Sequence, residues 1–285
     1  MEFLIENVYN SFITKEIDDL ETDYINLLKK NKEKQLTTIV GIKCKDGVVL
    51  SSDSQASGIR IKSLGVSKIF KINENIGLGC AGTESHIKKL VKEIEKRIKD
   101  NTKIVRKDDF KNELEVIVVD LHRINIVEKA ANMGYPPRND LFDAAALLGA
   151  KINNDFYLFS LDVPNGEVDE IEDFSMKGSG SLFALLVLKQ QERIVKAIKQ
   201  NFSNLELFYA IWIGMCVINE VKNIEIFTGG DTQVVYINKD GYNQLSDDNV
   251  KMMYNNIIDW LSKTLGERLQ DKEIEGKIKG FYAKS

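Results

Sequence analysis

An α+β fold, with pairs of helices packed on antiparallel sheets, is what this 285-residue sequence predicts. Two observations carry that expectation. The elements come in segregated runs: strands, two helices, strands, two helices, strands. Turn signals such as Asp46-Gly47, Pro164-Asn165-Gly166 and Asn238–Gly241 join the strands as hairpins. No internal repeat or low-complexity tract interrupts the order.

The bulk composition is that of a globular protein, with 43% apolar and 29% charged residues. The length suits one large domain or two small ones. A net charge of −4 points to neither nucleic acid nor an acidic membrane surface as partner. Cys44, Cys80 and Cys216 are odd in number and far apart, so neither a disulfide framework nor a zinc ribbon is indicated. With only His86 and His122, a histidine-based metal site is not expected, and no run reaches the roughly 18 apolar residues of a membrane span. The expectation is a cytoplasmic protein with neither metal nor cofactor, nuclear as well if the source is eukaryotic.

Residues 1–28 place Leu4, Ile5, Val8, Phe12 and Ile13 at helical spacing, and "KKNKEKQ" (29–35) is a charged connector. Acids throughout and the lack of a basic start exclude a signal or transit peptide. The composition shift at residue 36 is the clearest boundary. A strand over 37–45, the Asp46-Gly47 turn and a strand over 48–53 follow, Asp-Gly being favoured where both central residues take φ > 0. Strands are predicted at 66–72 and 76–82, then a helix carrying Ile87, Leu90, Val91, Ile94 and Ile98. A second helix covers about 108–131, with Asp108 as candidate cap. "MGYPPRND" (133–140) breaks the pattern. Strands then read at 142–149, 155–161 and 168–174. "KGSGS" leads into a helix to about 200, and another runs from Asn204 to about 222. Strands at 224–228 and 232–237 and a C-terminal helical region complete the chain.

Three positions pose chemical questions. In "VSKIFKI" (66–72), period two puts Lys68 on the face of Val66, Phe70 and Ile72. There it either finds a carboxylate or snorkels from a partly exposed sheet. Asp53 ends an apolar strand among Ser51, Ser52 and Ser54, as a turn former or as a functional acid. An ideal two-residue hairpin pairs Lys45 with Val48 and sets Asp53 opposite Val40, with Thr37 some three rungs away on the other face. Gly82 closes a strand before a helix, either as a simple turn or with its N–H available to an oxyanion. "GSGS" lacks the spacing of a phosphate loop.

Together, "TTIVGIKCKDGVVLSSDS", "VSKIFKI", "GLGCAGTESH", "FSLDVPNGEVDEIEDFSMKGSGS" and "FTGGDTQVVYI", in that order from Thr37 to about Leu245, resemble the β-type subunits of proteasomes among the N-terminal nucleophile hydrolases. The resemblance implies a four-layer αββα sandwich and a threonine peptidase. Residues 1–36 would be a helical propeptide, 37–285 the peptidase domain, and 246–285 its C-terminal helical extension. By the same resemblance Thr37 is the nucleophile, Asp53 the active-site acid, Lys68 the active-site lysine paired with it, and Gly82 the oxyanion donor. Ser179, Glu225 and Thr228 complete the catalytic set. Ser57 would meet an extended substrate strand. Ala56, Val66, Cys80 and Glu84 would line the first specificity pocket, where Glu84 favours basic or polar side chains. Implied partners are other β-type and α-type subunits in stacked rings, an ATP-dependent unfoldase or other regulator, and unfolded polypeptide. The chain departs from the family at Leu36, where glycine is usual before the nucleophile, at Ile224-Glu225 in place of Arg-Asp, and at Thr228 in place of serine. Glycine most easily permits the strained backbone that self-cleavage needs. Leu36 therefore motivates an alternative, an unprocessed subunit with a structural or assembly role. The peptidase of the simpler bacterial two-component ATP-dependent protease, which also opens "TTIV", is a further alternative.

Overall fold

The computed structural model describes residues 37–57, 62–63, 65–98, 106–197, 201–225 and 228–269. The expected N-terminal helix, the connector and Leu36 lie outside the described residues. Contacts divide the chain into two units, Glu33–Val250 and a second that takes in the residues after Val250. The described part of the second unit is the continuation of one helix.

The elements in order are β1 (Thr38–Cys44), β2 (Gly47–Asp53), β3 (Ala56–Ser57), β4 (Lys62–Ser63), β5 (Ile69–Asn73) and β6 (Ile76–Gly82). Helices α1 (Glu84–Ile98) and α2 (Lys107–His122) follow, the latter widening into a π-helical stretch over Arg123–Glu128. Next come β7 (Ala144–Ile152), β8 (Asp155–Asp162), β9 (Glu167–Ile171) and β10 (Phe174–Gly178), then α3 (Ser181–Ala197) and α4 (Leu207–Ile224). β11 (Thr232–Asn238), β12 (Gly241–Gln244) and α5 (Asp247–Leu269) close the described chain.

One five-stranded antiparallel sheet has the order β10-β1-β2-β11-β12 and the other β5-β6-β7-β8-β9, with β3 and β4 as a separate pair. α3 and α4 cover the first sheet, and α1 and α2 the second. Between the sheets, Ile39, Val48, Leu50 and Val235 meet Ala81, Leu147 and Leu158. A larger core joins Leu78, Leu148 and Phe159 to Leu90, Ile94 and Leu114 beneath α1 and α2. The architecture is thus the expected αββα sandwich. Because both faces of each sheet are covered, β2 and β6 are buried at every residue and read as apolar runs rather than as alternating strands. α4 is long and apolar enough to cross a membrane by length and composition. Its Ala210, Ile213, Gly214, Val217 and Val221 are nevertheless buried, and it packs on β1, β2 and β11 as a core helix.

Several expectations are corrected. The first hairpin turns at Lys45-Asp46, one residue earlier than expected, so Cys44 pairs with Gly47 and Lys43 with Val48. No φ at Lys45, Asp46 or Gly47 is positive. The turn residues serve α4 instead: Lys45 N–H donates to Leu205 O (2.9 Å) and Asp46 Oδ1 accepts from Leu207 N–H (2.8 Å) at the start of the helix. Gly47 is needed for space, since a Cβ there would stand 2.6 Å from the Ile237 carbonyl oxygen.

The strand expected over 168–174 is two strands, β9 and β10, in different sheets, bent at Glu172-Asp173, where Asp173 O accepts Lys43 N–H. No strand forms at 224–228 among the described residues: Ile224 still belongs to α4, Glu225 ends it, and 226–227 lie outside the description. Asp108 is not a cap, as Arg106 occupies that position without a side-chain cap bond. The helix expected from Asn204 starts at Leu207, after a 3-10 turn over Phe202–Asn204.

Gly47→Ala is expected to destabilise the chain by about 1–3 kcal/mol, the usual cost of overpacking, measured by urea denaturation. A glycine serving only as a turn residue at negative φ would tolerate alanine with no loss.

Candidate active site

The site is assembled around the carboxylate that ends β2. Asp53 is fully buried, and five donors converge on it. Its Oδ1 accepts the Thr37 hydroxyl (3.0 Å), the Thr38 N–H (3.0 Å) and Lys68 Nζ (2.7 Å). Its Oδ2 accepts the backbone N–H groups of Gln55 (3.2 Å) and Gly229 (3.1 Å). The corrected hairpin register makes this possible. With Ile39 paired to Ser52, Thr38 stands beside Asp53, two residues from the idealised partner Val40. Thr37 precedes the strand, so its side chain is not held to the alternation that separated the two groups on paper.

Lys68 lies just before β5 rather than within it, and is 7% exposed. Lys68 does not snorkel: its ammonium is turned onto Asp53, with Ile72 buried on the same face and Phe70 packed on the helix-side core. Burial pushes the Lys68 ammonium below the ordinary lysine value, while the charge and hydrogen bond of Asp53, with the charge of Glu225, oppose that shift.

A second polar chain approaches from the other side. Thr228 donates to Glu225 Oε2 (2.7 Å), so in the 2.7 Å contact between the Thr38 and Thr228 hydroxyls, Thr38 is the donor. The Ser179 hydroxyl stands 3.4 Å from Glu225 Oε2 and 3.4 Å from the Thr37 carbonyl oxygen. The "GSGS" turn carries glycine because the backbone runs against the candidate nucleophile. A Cβ on Gly178 would lie 2.0 Å from Thr37 O, and one on Gly180 2.0 Å from Thr38 Oγ1.

Gly82 has φ +128°, and a Cβ there would meet the Asp143 carbonyl oxygen at 2.3 Å, so only glycine fits at the start of α1. A cavity of about 140 Å³ opens beside Thr37 and is lined by Val66, Ser67, Lys68, Phe70, Cys80, Gly82, Glu84, Ile87 and Lys88. Of the expected pocket residues, Val66, Cys80 and Glu84 are here. Ala56 and Ser57 are described only by their pairing, with Ser63 and Lys62. At the mouth of the cavity Lys88 Nζ pairs with Glu84 Oε1 at 2.5 Å, while Cys80, Phe70 and Ile87 give it apolar walls. Burial pushes the Cys80 thiol far up, so it contributes a neutral surface. Among the described residues, no group of three or more His, Cys, Asp or Glu is placed to hold a metal ion.

Thr37 and Lys68 both bond to Asp53, Gly82 lines the same cavity as Thr37 and Lys68, and Ser179, Glu225 and Thr228 form the adjoining chain. Sequence reasoning missed Gln55 and Gly229, which act through backbone N–H groups, and Gln233, whose side chain reaches the Lys68 backbone. It also missed Phe70, Ile87 and Lys88. Of these, Phe70, on the face of Val66 and Lys68, and Lys88, four residues from Glu84, had readable signals.

The family model described as "Proteasome subunit" matches residues 33–237. Curated relatives include "Proteasome subunit beta 1" of Thermococcus kodakarensis, 28% identical over 218 residues, 76% of this chain and 96% of that one. "Proteasome subunit beta" of Methanococcus maripaludis is 28% identical over 216 residues, covering 75% of this chain and 89% of its own. "Proteasome subunit beta" of Nanoarchaeum equitans is 31% identical over 161 residues, covering 55% and 74%.

Asp53→Ala strands a buried ammonium and is expected to cost about 3–5 kcal/mol in urea denaturation, the range for breaking a buried pair from one side. The lowered Lys68 value also gives a pH dependence with a definite sign. Between that value and the ordinary lysine value of about 10.4, the unfolded chain binds a proton that the folded chain has lost. Stability relative to Lys68→Met therefore rises with pH through that window. Paired denaturation curves taken stepwise from neutral pH upward check this, and a falling difference contradicts it.

Proposed function

Since the chain belongs to the proteasome subunit family and is of its β type, we propose that it is a threonine peptidase of a proteasome core particle, active through Thr37 once residues 1–36 are removed. The observation that carries this reading is the contact of the Thr37 hydroxyl and Lys68 Nζ with one buried oxygen of Asp53, beside a cavity sized for a substrate side chain.

The chemistry follows from the freed terminus. An α-amino group has a pKa of about 7.7–8.0, so its neutral form accepts the Thr37 hydroxyl proton near neutral pH. The oxygen attacks the peptide carbonyl carbon, and the N–H of Gly82 receives the developing oxyanion. Collapse of the tetrahedral intermediate breaks the C–N bond, and the amine's proton goes to the leaving nitrogen. Water then hydrolyses the ester and restores Thr37. Lys68, paired with Asp53, keeps a positive charge beside the nucleophile throughout. Ser179, Glu225 and Thr228 orient the new amine in this reading. In the intact chain the Thr37 hydroxyl donates to Asp53, so removal of residues 1–36 creates the base and redirects this proton.

Substrate is an unfolded polypeptide, bound as an extended strand with its side chain in the apolar cavity. The particle joins β-type to α-type subunits in stacked rings and takes substrate from an ATP-dependent unfoldase. A cytoplasmic setting suits its free Cys44, Cys80 and Cys216. A second reading, an unprocessed structural subunit, is carried by Leu36, which replaces the residue that bends most easily before the nucleophile.

Assembled with α-type partners, the chain is expected to show a mature mass beginning at Thr37 and to cleave fluorogenic peptides, with all cleavage lost in Thr37→Ala. Retention of residues 1–36 without cleavage favours the structural reading, and cleavage surviving in Thr37→Ala sinks the peptidase assignment. For the cavity, peptides with leucine before the cleaved bond are expected to exceed arginine peptides by roughly tenfold in kcat/KM. Glu84→Gln should leave that ratio within about threefold, because the exposed Glu84 charge is paired and screened.

A further inference from the structure

Gln233 stands on β11 beside the acid of the site: it pairs with Ser52, and its neighbour Thr232 pairs with Asp53. Its side-chain amide leaves this sheet and meets the chain just before β5. Oε1 accepts the Lys68 backbone N–H at 3.0 Å, and Nε2 donates to the Val66 carbonyl oxygen at 3.0 Å. The Ser52 hydroxyl donates to the same Oε1 at 3.2 Å. The orientation of the amide is dictated, because the Lys68 N–H only donates and the Val66 carbonyl only accepts.

These two bonds reproduce, with a side chain, what a neighbouring strand residue would make on either side of Ser67. Residues 66–68 need such a partner because β5 begins only at Ile69. Val66 N–H donates to Ser54 O (3.0 Å) and Lys68 O accepts from Cys80 N–H (2.9 Å). Gln233 takes up the other backbone group of each of these two residues, so three separate segments of the chain hold Val66 and Lys68. Where the Lys68 backbone sits decides whether Nζ reaches Asp53, which it does at 2.7 Å. The same segment supplies Val66 and Ser67 to one edge of the cavity beside Thr37.

We infer that Gln233 is a positioning residue for peptide cleavage, holding Lys68 against Asp53 and the Val66–Ser67 edge against the substrate side chain. This rests on the reading of Thr37 as nucleophile. Gln233 touches no reacting atom and acts through the backbone of 66–68. Methionine has nearly its length with neither bond, and glutamate keeps the acceptor for Lys68 while lacking the donor for Val66.

The test assembles particles from full-length wild type, Gln233→Met and Gln233→Glu, and follows cleavage of leucine peptides together with hydrogen exchange at the Lys68 amide. Gln233→Met is expected to lower kcat by at least about tenfold and to speed that exchange, with assembly unchanged. Gln233→Glu is expected to hold kcat within about threefold while raising KM by roughly tenfold, because only the cavity edge is released. A Gln233→Met particle matching wild type in kcat and KM overturns the inference, as does a loss in both variants that merely tracks the amount of folded subunit. If Gln233→Met does not assemble, the KM-against-kcat split in Gln233→Glu decides. If wild type itself cleaves nothing, the reading of Thr37 has failed. The tether is then judged on exchange alone: faster at Lys68 in Gln233→Met supports it, unchanged overturns it.

Discussion

A carboxylate with no access to water has to be supplied with donors, and Asp53 draws its five from segments scattered along the chain. Thr37 and Thr38 come from the entry to β1, Gln55 from just beyond β2, Lys68 from the entry to β5, and Gly229 from the turn before β11. Each lies at the end of an element rather than within it. The strands therefore bring their ends to one point, and the irregular backbone there is held by charge. Lys68 is the donor that most needs this arrangement, since burial alone drives it towards losing its proton and the neighbouring acids oppose that.

Around that point, close approach replaces side chains with glycine. Gly178 and Gly180 let the β10 turn lie directly on Thr37 and Thr38, and Gly82 lets β6 turn into α1 against the Asp143 carbonyl. In a phosphate loop such glycines expose backbone N–H groups to a ligand. Here they admit another stretch of the same chain. The sandwich supplies the rigidity this requires, because helices on both outer faces leave β2 and β6 buried along their whole length.

Glu225 shows how a helix end is tied to the start of β1. α4 runs through Ile224 and delivers Glu225 at its C-terminal end, 1% exposed. Its carboxylate meets two hydroxyls, with Thr228 closing the link to Thr38. Lys68 thus feels acids from the end of β2 and the end of α4, Asp53 by contact and Glu225 through its charge.

Local chemistry in the sequence determined the fold class, the order of elements and nearly every helix, because hydrophobic period and turn residues act over a few positions. It also contained Thr37, Asp53, Lys68 and Gly82 in recognisable surroundings. It did not determine their contact. An idealised turn at Asp46-Gly47 kept Thr37 and Asp53 apart, and the true register followed from Asp46 and Lys45 being taken up by the start of α4, 161 residues beyond Asp46. The split of residues 168–174 between two sheets, the reach of Gln233 to Lys68 and the pairing of Gly229 with Asp53 were likewise settled only in three dimensions. A single register shift, a bend or a backbone donor leaves no trace in residue type, because any residue has an N–H and the partner that claims it is chosen by packing across the sandwich.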